Sequence, residues 1–332
     1  MTSRALVFLL VLAAAAALIS LPWWMPSFYL TLTIRILFFS LLAMSFTFLA
    51  GQGGMVSLAQ VAVFGTSAYV LAILSTQHGV AWSAAVPLAL ASGTTLAAVF
   101  GVFAVRTLGI YFLMITLALG QIVWGVAFQW VSMTGGFDGI GGLRAPTVLG
   151  VAFRSPESFY LLVLAATVLT GWLLHRIINS PFGLALNGVR DSPTRMQALG
   201  YPVSLIRYLA FVVAGLVASI AGVFFAYFTG VVNPSALDLF RSVWVLVVSI
   251  LGGVGSLIGA VIGTTIVVLL QTVVSQITPR YMTIIGLVFL LTILFAPDGI
   301  TGRFHALRKR LKRERPSGGP TIDDRGPVER EV

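Results

Sequence analysis

The chain has 332 residues, 58% of them hydrophobic and 9% charged, with a net charge of +10. Soluble domains carry about 25% charged residues, so this composition excludes a chain solvated over its whole surface. Seven of the twenty basic residues lie between Arg303 and Arg315, after the last apolar run, which argues for membrane orientation or anionic lipid rather than nucleic acid.

Apolar runs bounded by turn signals predict an all-α polytopic membrane protein of about ten transmembrane helices. The predicted spans are 5–21, 28–50, 55–75, 82–104, 107–131, 157–176, 205–229, 240–254, 257–276 and 280–297. Residues 1–302 form one transmembrane domain with a cytoplasmic loop at about 177–204; residues 303–332 form a basic, then disordered, cytoplasmic tail. Arg4 and the small residues Ala13 to Ala17 give the first run the look of a signal peptide. The spans that follow at once favour a retained helix. The eighth run is short for a full crossing.

A cytoplasmic N-terminus puts both ends inside. It also places fifteen basic residues on the cytoplasmic side against five elsewhere, as the positive-inside rule requires. Arg35 falls within the second span, where an arginine costs about 3 kcal/mol at the centre. It lies near enough to the outer end to snorkel; attraction of an anionic substrate is the alternative.

No acidic residue precedes Asp138, and the later acids fall in loops or at span ends. Ion-coupled carriers generally place ionisable groups inside the membrane, so this distribution weakens that class. Cysteine is absent, which removes disulfides, thiolate nucleophiles and cysteine metal sites. There is no HExxH and no serine with a histidine at membrane depth, hence no enzyme signature, and no metal site is expected. Without a GxxxxGK[ST] loop the chain binds no ATP by that means. Uphill transport then needs energy from another subunit.

The third span follows Gly51-Gln52-Gly53-Gly54 and carries Ser57, Gln60 and Ser67 on one predicted helical face. The fifth carries Thr116, Gly120 and Gln121. Buried amides and hydroxyls need partners in a bilayer, from another helix or from a hydrated pathway. Gln52, Ser57, Gln60, Thr116, Gln121, Gly135 and Gly136 are therefore candidate pathway residues. Gly255, Gly259 and Gly263 form a small-xxx-small repeat, as do Ala214, Ala218 and Gly222; such spacing serves close helix packing. Thr134 to Gly142 holds five glycines in nine residues, a stretch expected to adopt unusual backbone angles rather than a strand or helix.

In the cytoplasmic loop, Ser192 can cap a helix that starts at Pro193 and stops at Gly200. Met196 and Leu199 would share its apolar face. Helices this short are marginal in water, so the face is expected to dock, on its own membrane domain or on a partner.

Residues 180–201, SPFGLALNGVRDSPTRMQALGY, resemble the coupling loop of branched-chain amino acid ABC transporter permeases of the LivM type. Further likenesses run through GQGGMVSLAQ (51–60), LGIYFLMITLALGQ (108–121), TGGFDGIGGL (134–143), LAFVVAGLVASIAG (209–222), ILGGVGSLIGAVIG (250–263) and FAPDGITG (295–302). The resemblance implies an importer permease architecture, type II-like, in the bacterial inner membrane. It implies two cytoplasmic ATP-binding subunits that use the ATP, a second and often paralogous permease subunit, and an external substrate-binding protein. No cofactor is implied for this chain. Arg190, Asp191, Ala198 and Gly200 match the loop motif, and Pro193, Met196 and Leu199 complete the predicted coupling helix. Where such permeases commonly read SLGH, this chain has Ser57-Leu58-Ala59-Gln60. The implied solutes are branched-chain or related amino acids, with urea, short amides or other small carboxylates as alternatives.

Overall fold

The structure is a computed structural model. It describes residues 20–143, 147–148, 151–152 and 155–277, with Leu18 and residues 283, 284, 286, 287 and 290. The first and tenth predicted spans lie mainly outside the described residues, and the tail lies wholly outside them.

The described chain is built from α1 (Ser27–Thr47), α2 (Gln60–Ala72), α3 (Trp82–Ala104), α4 (Gly109–Gln129), α5 (Val131–Thr134), α6 (Pro156–Ile178), α7 (Pro181–Asp191), α8 (Pro193–Ala198), α9 (Val203–Thr229), α10 (Leu239–Gly252) and α11 (Leu257–Ile277). Seven helical segments among the described residues are long and apolar enough to cross a bilayer. They correspond to the second and the fourth to ninth predicted spans. The third is a correction: its first residues, 55–59, are not helical, and α2 begins only at Gln60. The eighth run, α10, has 14 residues; the turn Pro234–Ala236 ahead of it extends the segment to 19 residues.

Two helices form the centre. From Ile36 to Thr47 every residue of α1 is buried, and this helix packs against α6, α9, α10 and α11. Helix α9 meets α1, α2 and α3. A helix apolar all round belongs in such a position. Outer faces of α3, α4 and α6 expose Leu88, Phe103, Ile110, Met114, Ile122, Val168 and Trp172. Water would not tolerate so much apolar surface, and lipid does.

Lipid tails are as apolar as leucine, so close packing rather than hydrophobic burial must hold such helices together. Helix α3 buries Ala85, Ala89, Gly93, Ala97, Gly101 and Ala104 along one face. A methyl group on Gly93 would stand 2.3 Å from the Ser219 hydroxyl, and one on Gly215 would stand 2.2 Å from Ala97. Two turns further along the same side of α9, a methyl on Gly222 would meet the Phe64 carbonyl at 2.0 Å. The Ala214, Ala218 and Gly222 stripe is accordingly buried.

The second small-residue stripe needs a correction. Gly259 and Gly263 do pack on α10, but Gly255 lies in the turn before α11, with open space where a side chain would stand. Gly252 takes its place in the contact: a methyl there would sit 1.9 Å from the Gly259 carbonyl. The turn breaks the helical register of the repeat.

The bundle has two distinct ends. At one, Arg190 of α7 reaches Gly51 after α1. At the other, Ile140–Gly141 pairs antiparallel with Val231–Val232. The glycine-rich stretch thus contains a short strand where none was expected. Gly135, Gly136, Gly139 and Gly142 supply the positive φ values that turn the chain there.

Candidate functional site

At Phe48–Gln52 the end of α1 widens to a π-helical turn, a feature frequent at functional sites. Gly54 then takes a φ of 64°, and residues 54–57 are in no helix or strand before α2 begins. Ser57 therefore stands outside the helix, and the expectation that it shares a helical face with Gln60 and Ser67 is corrected. The two glycines and the π turn break the helical spacing.

The break leaves a helix N-terminus deep inside the protein, with Gln60 only 1% exposed. The first amides of a helix have no partner within it; no side chain caps α2, and the nearby hydroxyls serve the two amides just ahead of it. Thr116 Oγ1, from α4, accepts from the Leu58 amide at 3.2 Å; Ser57 Oγ accepts from the Ala59 amide at 3.3 Å. Ser67 Oγ lies 3.0 Å from the Ser219 carbonyl and 2.9 Å from that of Phe64, where α2 meets α9.

Gln60 extends this cluster. Its side-chain oxygen is 2.8 Å from Ser45 Oγ, which is 2.9 Å from the Ala214 carbonyl. A hydroxyl carries one proton and cannot donate to both acceptors. Turning the amide over makes a consistent chain: Gln60 Nε2 donates to Ser45, and Ser45 donates to Ala214. In the unturned orientation Gln60 Nε2 is buried without a protein partner among the described residues. A buried unpaired amide atom costs about 1–3 kcal/mol, so it marks a position suited to a polar visitor.

The 177–204 loop is more structured than expected. Its first half is an eleven-residue helix, α7, that sequence reasoning missed. The signal was present in Ser180-Pro181: Ser180 Oγ accepts from the Gly183 amide, and Pro181 opens the helix. Ser192, the predicted cap of α8, makes no side-chain capping bond.

Helix α8 runs Pro193–Ala198, one residue short of the predicted end, and stops as its glycine requires. Gly200 has a φ of 84°, its amide donates to Gln197, and the Tyr201 amide reaches back to Met196 at 3.0 Å. This is a Schellman ending. The shared apolar face is a second correction. Met196 is half-buried against Gly188 of α7, whereas Leu199 is 67% exposed. With α7 present, the short helix folds one side chain onto it and leaves only the other for docking.

Arg190 joins these two regions. Its Nη1 donates to the Gly51 carbonyl, its Nε donates to Asp191 at 2.9 Å, and its aliphatic stem lies where a side chain on Gly54 would stand. Leu186 of α7 lies beside Gly53 in the same way. The loop is therefore fastened to the point where the helix breaks.

The remaining predicted residues are scattered. Gln52 is half-buried at the end of the π turn, and Gln121 is half-buried on α4 outside the cluster. Gly135 and Gly136 lie at the opposite end of the bundle: a side chain on Gly135 would strike the Gly139 carbonyl. Ser45, Ser67 and Ser219 belong to the polar cluster but were not predicted as pathway residues. A serine within an apolar run gives no sign of which neighbouring helix it will face.

Comparison with known proteins gives this arrangement a family. The profile of the branched-chain amino acid transport system permease component matches residues 28–296. The chain belongs to this family. It is 24% identical over 318 residues to the high-affinity branched-chain amino acid transport permease LivM of Escherichia coli K12, covering 89% of this chain and 74% of the relative. The LivM of Salmonella typhimurium is 24% identical over 283 residues, covering 78% and 67%. An autoinducer 2 import permease, LsrC of Klebsiella pneumoniae, is 34% identical over 142 residues, covering 41% of this chain and 39% of its own. No solved structure gives a significant match. The chain is thus an all-α, multi-pass inner-membrane permease of an ABC importer, LivM-like over most of its length.

Proposed function

We propose that this permease forms the translocation pathway for branched-chain or related amino acids, and that ATP-binding subunits drive it through α7 and α8. The observation that carries the reading is the Arg190 contact with Gly51. It links an exposed helix pair to the break between α1 and α2, where hydroxyls hold the amides of Leu58 and Ala59. Leu184 is 70% exposed and Leu199 is 67% exposed, and together they offer apolar contacts to a docking partner.

A displacement of α7 would pull on Gly51 and Gly54, and through them on the start of α2. Broken helices with polar groups at the break are a recurring device for solute passage. In this reading Ser57, Gln60 and Thr116 line the pathway at the break, and Gly135 and Gly136 shape its far end. Two ATP-binding subunits, a second permease subunit and an external binding protein complete the importer, with both chain ends cytoplasmic. The similarity to LivM supports amino acids as the cargo. The partial match to LsrC, which serves another solute, favours the second reading of a different small polar cargo on the same architecture.

The test is uptake of radiolabelled leucine by vesicles holding the assembled transporter. Uptake should stop when ATP is removed and survive a protonophore, and the purified chain alone should hydrolyse no ATP. Uptake that persists without ATP and collapses with the protonophore would make this a secondary carrier.

A further inference from the structure

At the end of the bundle away from α7 and α8 lies a cavity of about 180 Å³, lined by Arg35, Phe39, Asp238, Arg241, Trp244 and Gln271 among others. It has room for a small solute, on the order of six water molecules at ~30 Å³ each. Arg35 lies in the half of α1 farther from Gly51. Asp238 and Arg241 follow the Val231–Val232 strand that pairs with the glycine-rich loop.

The charge in this wall is unusual. The Arg241 guanidinium lies 5.5 Å from the Phe39 ring centre and 5.3 Å from that of Phe225. The Arg35 guanidinium lies 5.9 Å from the same Phe39 ring. One aromatic ring attracts both cations, yet two like charges in low-dielectric surroundings repel each other. The Asp238 carboxylate in the same wall offsets part of that repulsion, and a bound carboxylate would offset more.

Arg241 is equipped to hold one. Its Nε donates to the Ser235 carbonyl at 3.3 Å, while among the described residues its two Nη groups have no protein acceptor. A planar guanidinium presented this way suits a carboxylate bound through both oxygens. Asp238 stands at the N-cap position of α10, but its side chain makes no capping bond and instead contributes a carboxylate to the wall. Phe39 and Trp244, with ring centres 4.9 Å apart, supply an apolar side.

We infer that this cavity is an entry site for a small zwitterion with an apolar arm, a free α-amino acid. Arg241 takes the carboxylate; Asp238 takes the ammonium group; Phe39 and Trp244 take the side chain. The inference rests on the importer reading above and adds to it where the cargo first binds.

The full-length chain in phosphatidylcholine nanodiscs tests it, with radiolabelled leucine as the probe. Saturable binding is expected. Leucinamide, which lacks the carboxylate, and 4-methylpentanoate, which lacks the ammonium group, should each compete roughly tenfold or more weakly than leucine. These competitors probe the unmutated protein, so folding of a variant does not enter. Arg241→Gln should weaken leucine binding by a similar factor. Asp238→Asn should abolish the preference for leucine over 4-methylpentanoate.

Absence of saturable binding, or leucinamide competing as well as leucine, overturns the assignment. So does loss of leucine binding when phosphatidylethanolamine or phosphatidylglycerol is added, which would give the cavity to a lipid headgroup. Any of these results alongside ATP-dependent uptake removes the cavity site and leaves the importer reading intact.

Discussion

Arg190 divides its guanidinium between the Asp191 carboxylate and the Gly51 carbonyl. The two contacts differ in worth. Arg190 and Asp191 side chains are 39% and 68% exposed, and ion pairs so open to water contribute about 0–1 kcal/mol. Gly51 is buried, and leaving a buried carbonyl unpaired costs about 1–3 kcal/mol. Asp191→Asn should therefore leave leucine uptake near the unmutated rate. Arg190→Ala should reduce uptake severalfold while the chain remains abundant in the membrane, because no transmembrane contact is removed. Uptake rates normalised to membrane abundance check both, and equal effects of the two substitutions would remove Arg190 from the transmission path. Gln60 shows the opposite economy: it keeps an unpaired amide atom in a buried cluster, a liability that makes sense where solute or water passes.

Helices α7 and α8 act as one element, since Met196 rests on Gly188 and the Schellman ending fixes where the chain leaves. An acidic residue at position 196 would disrupt the pair itself, whatever docks on it. Leu199 is the cleaner probe because its side chain is exposed. Leu199→Asp should leave thermal stability unchanged, yet reduce both uptake and the response of ATP hydrolysis to loaded binding protein. Full retention of both would rule out docking through this residue. The α10–α11 contact offers a second test. Gly252→Ala and Gly263→Ala each force a methyl within 2.2 Å of backbone on the facing helix, and overpacking costs about 1–3 kcal/mol. Gly255→Ala meets open space. Melting of the detergent-solubilised chain should fall for the first two and hold for the third.

The whole molecule has one orientation to establish, and the absence of cysteine makes it measurable. Phe137, in the glycine-rich loop, is 80% exposed; Thr194, in α8, is exposed at the other end. In intact cells an impermeant thiol reagent should modify Phe137→Cys and spare Thr194→Cys. The reverse pattern would invert the orientation. Much of this architecture was legible in the chain alone. Membrane class and seven of the spans followed from long apolar runs, because a bilayer demands apolar length wherever the helix stands. The stop at Gly200 followed from local chemistry, since a left-handed ending needs glycine or its like. Other features had no local sign. Ser57 left its helix because a π turn and Gly54 interrupt the spacing; Gly255 left its stripe because a turn intervenes. Met196 turned inward because α7 lay beneath it. Arg35 and Arg241 lie 206 residues apart in the chain and share one phenylalanine ring only once α1 and α10 pack together. Hydropathy and turn chemistry are properties of a segment, so the sequence by itself determined which segments enter the membrane and where several of them end. Which polar groups face each other depends on helix rotation and on breaks in register, and only tertiary packing decided those.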